Sequence, residues 1–172
     1  MSWLGSAGLS AVLALPAAAP HAAAPPNLVF APSQCTYSVA FPAAPALSQS
    51  TAVDGGTNAA ADLVRAGVRF SAACLADAPG QSAAPLAPAE ASARLTQMTR
   101  ALGVRDTTIH PLPKLGAGCA DVEGKLGDAA QPYRIDARIC IAANATFIVE
   151  AIAHMDSQDP DIRKFLDSLA SK

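Results

Sequence analysis

The chain lacks the common signatures of nucleophilic, phosphate-binding and metallohydrolase chemistry. It has no Gly-x-Ser-x-Gly elbow, no Ser-x-x-Lys, no phosphate-binding glycine loop and no His-Glu-x-x-His. It also lacks a Cys-x-x-Cys pair, which removes the usual redox arrangement. Positive charge is never concentrated: Arg65, Arg69, Arg94, Arg100 and Arg105 stand singly, and the formal charge is only -2. A nucleic-acid surface needs a basic stripe, so nucleic acid is excluded as a partner. No cofactor motif is present either.

Charge is missing altogether from the first two dozen residues, which instead hold the apolar run Leu9 to Leu15 and the small residues Ala22, Ala23 and Ala24. Such a run is too short to span a bilayer, so residues 1–24 read as a secretory leader that is removed. Cleavage after Ala24 satisfies the small-x-small rule but leaves Pro25 first, and Ala19 and Ala22 are alternative sites. Cys35 follows Pro32, Ser33 and Gln34, which is not a lipoprotein junction. The expectation is therefore a periplasmic or secreted protein with no stable membrane insertion once the leader is gone.

The remaining ~150 residues make one domain. Residues 25–34 are expected as a flexible mature N-terminus and residues 35–172 as a single α+β domain. The Ala/Pro/Gly-rich stretches 16–26 and 75–88 lack periodicity and read as a mobile start and a surface loop. Cys35, Tyr37, Val39 and Phe41 alternate with smaller or polar residues before Pro42, which is a half-buried strand. Residues 64–74 alternate in the same way. Asp54-Gly55-Gly56 marks a turn, so a strand around Leu47 to Val53 forms a hairpin with the segment after that turn.

From 88 to 102 the period becomes helical. Ala91, Leu95, Met98 and Leu102 share a face, Pro88 suits the first turn, and Gly103 suits a left-handed stop. Three strands come next, at 117–126, 132–142 and 146–154, as an antiparallel meander. A last helix is capped by Asp159, begins at Pro160 and carries the apolar stripe Ile162, Phe165, Leu166 and Leu169. The fold expected is an antiparallel sheet of about five to six strands with two α-helices packed on it.

Hairpin symmetry then reaches the cysteines. With the turn centred between Ala129 and Ala130, Cys119 falls opposite Cys140, Asp121 opposite Arg138 and Glu123 opposite Asp136. Four cysteines permit three pairings. The register favours Cys119 with Cys140, leaving Cys35 with Cys74, as structural disulfides of an oxidising compartment.

The order of elements, with Val39-Ala40-Phe41-Pro42 early and Ile162-Arg163-Lys164-Phe165-Leu166-Asp167-Ser168-Leu169 late, resembles the exported proteins of the PsbP/DcrB-like superfamily. That resemblance implies a PsbP/Mog1-like sandwich and a non-catalytic accessory or binding role in the cell envelope, toward an envelope protein or a small ligand. It carries over no functional residue.

An enzyme would have to be built on the histidines. His21 belongs to the leader, and His110 precedes Pro111 in a loop. His154 ends the last strand near Glu150, Asp156, Asp159 and Asp161, the one cluster able to support a metal-dependent or hydrolytic reaction. Capping by Asp159 and the helix dipole at Asp161 account for two of these acids without a metal. The test is geometric: His154 and at least two of the acids must converge. Asn144 opens an Asn-x-Thr sequon by letters, but it falls in a tight hairpin turn and reads as a turn residue.

Overall fold

A computed structural model describes residues 28–78 and 87–172. The expected leader, the Ala/Pro stretch 16–26 and the middle of the expected surface loop lie outside the described residues. The elements are β1 (Leu28–Phe30), β2 (Tyr37–Phe41), β3 (Ala46–Thr51), β4 (Thr57–Arg65), β5 (Val68–Ala76), α1 (Pro88–Ala101), β6 (Arg105–Pro111), β7 (Cys119–Leu126), β8 (Tyr133–Ile141), β9 (Ala145–His154), α2 (Pro160–Asp167) and β10 (Ala170–Ser171). A seven-stranded antiparallel sheet runs β3-β4-β5-β9-β8-β7-β6, and a three-stranded one runs β1-β2-β10.

The large sheet is covered on both faces, and the alternation of its strands decides which residue goes to which layer. Along β8, Ile135, Ala137, Ile139 and Ile141 join Leu95 of α1 in one core. Phe147, Val149 and Ala151 of β9 and Phe70, Ala72 and Cys74 of β5 point the other way. They join Phe30, Val39 and Phe41 of the small sheet and Phe165 and Leu166 of α2. Aromatics are scarce, and all five phenylalanines lie in this second core, each no more than 8% exposed. Phe165 sits between Phe41, at 4.8 Å, and Phe70, at 5.3 Å and edge-on.

The meander holds the expected register throughout, with Cys119 opposite Cys140, Asp121 opposite Arg138 and Glu123 opposite Asp136. The unfavourable carboxylate pair is relieved by Arg134, whose Nε donates to Asp136 at 2.7 Å. Both expected disulfides are present, Cys35 to Cys74 and Cys119 to Cys140, with Cα separations of 6.0 and 4.0 Å. Two buried structural bridges mark an oxidising, extracytoplasmic folding environment. Cys74 faces Phe147, which faces Cys140, so both bridges lie in one row across the sheet with a ring between them. α2 begins as expected, with Pro160 in its first turn and the Asp159 carboxylate accepting from the Asp161 N–H at 2.9 Å.

Other expectations are corrected. The described residues form ten strands rather than five or six. The run 64–74 is broken by a turn at Ala66 and Gly67, with φ of 49° and 77°, so β4 and β5 form a hairpin. Both central residues of this turn are left-handed, as a two-residue hairpin loop requires, and an alanine in that role leaves only Gly67 as a local signal. The strand expected around 47–53 is β3, and it pairs with β4 across Asp54-Gly55-Gly56 as anticipated.

The folded region also starts before Cys35. Leu28–Phe30 pairs with β2, and Phe30 stacks 6.1 Å from Phe147, so the part of 25–34 that is described includes a strand. Residues 75 and 76, expected in a loop, finish β5. His110 lies in β6, opposite Asp121, rather than in a loop; a bulge between Arg105 and Thr108 hides the strand's period. Thr99, not Leu102, completes the buried stripe of α1. The helix ends at Ala101, leaving Leu102 as its C-cap and 43% exposed, and Gly103 takes the left-handed φ of 71°.

Candidate functional site

Of the four acids named with His154, only Asp156 lines a cleft with it, so the two-acid convergence that a hydrolytic or metal site needs is not met. His154 and Glu150 share one face of β9 but stand four residues apart, roughly 13 Å along a strand. Asp159 is committed to its cap, and Asp161 pairs with Arg65 at 3.0 Å on the opposite side of the sheet. The His154 ring packs on Tyr133, with centroids 5.0 Å apart. Among the described residues no three His, Cys, Asp or Glu side chains are placed to hold a metal ion. The four cysteines are buried in disulfides, away from any thiol chemistry.

A polar groove of about 370 Å³ runs between α2 and strands β7 and β8, lined by Asp121, Glu123, Arg134, Asp136, Asp159 and Arg163 among others. Behind its lining residue Asp121 lies Arg138, whose side chain is 9% exposed. Arg138 donates to Asp121 Oδ1 at 2.7 Å, to the Leu166 carbonyl at 2.6 Å and to Asp167 Oδ1 at 2.7 Å. It thus ties the last turn of α2 to the sheet, where a cation suits both the orphan carbonyl and the helix dipole. Most charges of this groove are consumed by such internal pairs, which makes it a structural clasp. Arg138→Met is expected to lower stability by about 2 kcal/mol, since a charged hydrogen-bond network loses its centre while its carboxylates keep partial access to water. Urea melts of the two proteins measure it.

The opposite face carries a second polar row, formed by Asp62, Ser71 and Glu150 at paired positions on β4, β5 and β9. Ser71 Oγ and the Arg69 guanidinium both donate to Asp62 Oδ1. Burial alone would raise the Asp62 carboxyl, but these hydrogen bonds and the Arg69 charge outweigh it and hold it below the usual range. Burial pushes the Glu150 carboxyl up; Arg69 opposes this and Asp62 adds to it. A carboxyl raised in the folded state keeps its proton where the unfolded chain has lost it. Its contribution to stability therefore falls as pH rises from the ordinary glutamate range through the raised value. Glu150→Gln is expected to be more stable than the parent at pH 7, with the advantage shrinking toward pH 4. Equal pH profiles for the two proteins would contradict this.

The most accessible binding feature is the outer edge of β3. The sequence Ala46-Leu-Ser-Gln-Ser-Thr51 has no charge and no proline, all six residues are exposed, and among the described residues no strand pairs with its outer side. The opposite edge differs: β6 carries Arg105, Asp106, a bulge and Pro111, the devices that discourage strand addition. The Ala52 N–H donates to the Gly56 carbonyl at 2.8 Å, which sets the parity of the β3–β4 ladder. Even-numbered residues bond inward, so Leu47, Gln49 and Thr51 direct their N–H and C=O groups outward.

Beside this edge, β1 and β3 enclose a groove of about 460 Å³ lined by Leu28, Val29, Phe30, Pro32, Leu47 and Gln49. Its rim is apolar, with Leu47 64% exposed and Val29 56% exposed. Unpaired backbone donors and acceptors next to an apolar groove are what an added strand needs: the backbone supplies pairing, and alternate side chains enter the groove. The strand itself is legible in the sequence but its role is not, because which strand becomes an edge depends on the sheet order. The chain matches no protein-family model, no curated protein and no solved structure.

Proposed function

We propose that this chain is an exported, non-catalytic binding protein of the cell envelope, periplasmic or secreted, which engages a protein partner by strand addition at the outer edge of β3. The observation that carries the reading is the uncharged β3 edge, on whose outer side no strand pairs among the described residues, beside the β1–β3 groove. The two disulfides support the compartment. No helix among the described residues is long and apolar enough to cross a membrane.

Kinship to the PsbP/DcrB-like superfamily, and a PsbP/Mog1-like sandwich, belong to the same proposal. The two segments behind that resemblance meet: Phe41 packs on Phe165, the Ala40 N–H donates to Ser168 Oγ at 2.9 Å, and Ser168 Oγ lies 2.7 Å from the Phe165 carbonyl. A late Phe-Leu-Asp-Ser helix end is thereby given a structural task, which is to lock onto an early Phe-Pro strand.

The experiment compares the parent with Gln49→Pro as baits in an envelope extract. Proline at 49 removes an outward N–H and leaves the ladder to β4 intact, so the fold should persist. A partner captured by the parent and lost by Gln49→Pro supports the reading. A partner retained equally by both sinks it.

A further inference from the structure

We infer that the occupant of the β3 edge is a second copy of this chain, paired antiparallel through β3 about a two-fold axis at Gln49. The inference rests on the strand-addition reading above and names its partner. A symmetric pairing must satisfy every side chain against its own sequence, and this strand does so.

With Leu47, Gln49 and Thr51 bonding outward, the register centred on Gln49 sets Leu47 opposite the partner's Thr51, Gln49 opposite its own counterpart, and Ser48 opposite the partner's Ser50. The three outward residues are then all at hydrogen-bonded positions, giving about six backbone hydrogen bonds between the copies. The Gln49 side-chain amides meet on the axis, where each has a carbonyl to accept and an NH2 to donate, so the pair is reciprocal. Leu47 meets the methyl of threonine. The serine hydroxyls, each donor and acceptor, meet on the other face.

Because β3 has no charged residue, the two-fold sets no like charges opposite each other; a lysine or glutamate anywhere in this strand would oppose or flank its own copy. The apolar rim at Leu28 and Val29 lies on the Leu47 side of the sheet and enlarges the surface the dimer covers. The product is a continuous sheet in which the unprotected edges are paired with each other, while the bulged, charged β6 edges stay outermost.

The test uses the full chain. Gln49→Cys, oxidised at about 50 μM, should form a disulfide joining two copies through position 49. It should do so roughly tenfold faster than Ser48→Cys or Ser50→Cys alone, because only position 49 faces itself within bonding distance. An equimolar mixture of Ser48→Cys and Ser50→Cys should link the two variants to each other rather than to themselves. Peptide mapping checks that the Cys35–Cys74 and Cys119–Cys140 bridges stay intact. In sedimentation the parent should behave as a dimer, and Gln49→Pro as a folded monomer whose far-UV circular dichroism matches the parent and whose melting temperature, unlike the parent's, does not rise with concentration.

Equal cross-linking rates at 48, 49 and 50, or a parent still monomeric at about 500 μM, would overturn the second-copy assignment. Strand addition is judged separately. A monomeric parent that captures a partner lost by Gln49→Pro keeps the edge as a binding site and removes only self-pairing. A dimer that persists in Gln49→Pro shows that the copies meet elsewhere, and overturns the inference.

Discussion

Phe165→Ala is expected to destabilise the protein by about 3–5 kcal/mol, the range for removing a fully buried ring that its surroundings cannot replace. The side chain is 1% exposed and touches two other rings, Phe41 of the small sheet and Phe70 of the large one, so one residue on α2 joins three elements. Collapse around the cavity is hindered on each side. Arg138 holds the end of the helix, and Ser168 Oγ holds the β2 backbone through Ala40 N–H. Ile162→Val, in the same stripe, should cost only about 1 kcal/mol because it removes a single methylene. Denaturant melts of the two variants measure both numbers. A Phe165→Ala protein as stable as the parent would mean that α2 does not close this core.

The second large effect concerns the bridge that joins the layers. Cys35 lies between β1 and β2 and Cys74 on β5, with a sequence separation of 39. In the chain-entropy model, opening a loop of that length costs about 4 kcal/mol, against about 3 kcal/mol for the Cys119–Cys140 loop. The Cys35→Ala, Cys74→Ala double variant should therefore remain folded but melt earlier, retaining one protected disulfide. Mispairing is prevented by distance: Phe147 stands between Cys74 and Cys140 in the same row, so these two lie two strand spacings, roughly 10 Å, apart, beyond the reach of a bridge. Non-reducing peptide maps of the parent should thus contain no Cys74–Cys140 link. Finding one would contradict both the strand order and the pairing.

What the sequence determined by itself was local or symmetric. The register of β7 and β8 comes from one turn and the period of two, which is why Cys119 could be set opposite Cys140 by counting. The cap at Asp159, the start at Pro160 and the stop at Gly103 depend on a few neighbouring residues and were legible for that reason. Signals failed where a local rule was met by an unusual residue. Ala66 in a left-handed turn concealed the division between β4 and β5, and the β6 bulge concealed a strand that contains His110.

The rest was decided by the tertiary structure. No spacing rule links Phe41 to Phe165 or Arg138 to the end of α2, because these contacts join elements far apart along the chain. Among the described residues the strand order leaves β3 outermost, and that turns an ordinary uncharged hexapeptide into a row of backbone groups that no other described strand pairs. Pairing energy resides in the backbone, which every sequence carries alike, so only the arrangement of the whole sheet reveals where it is left unsatisfied.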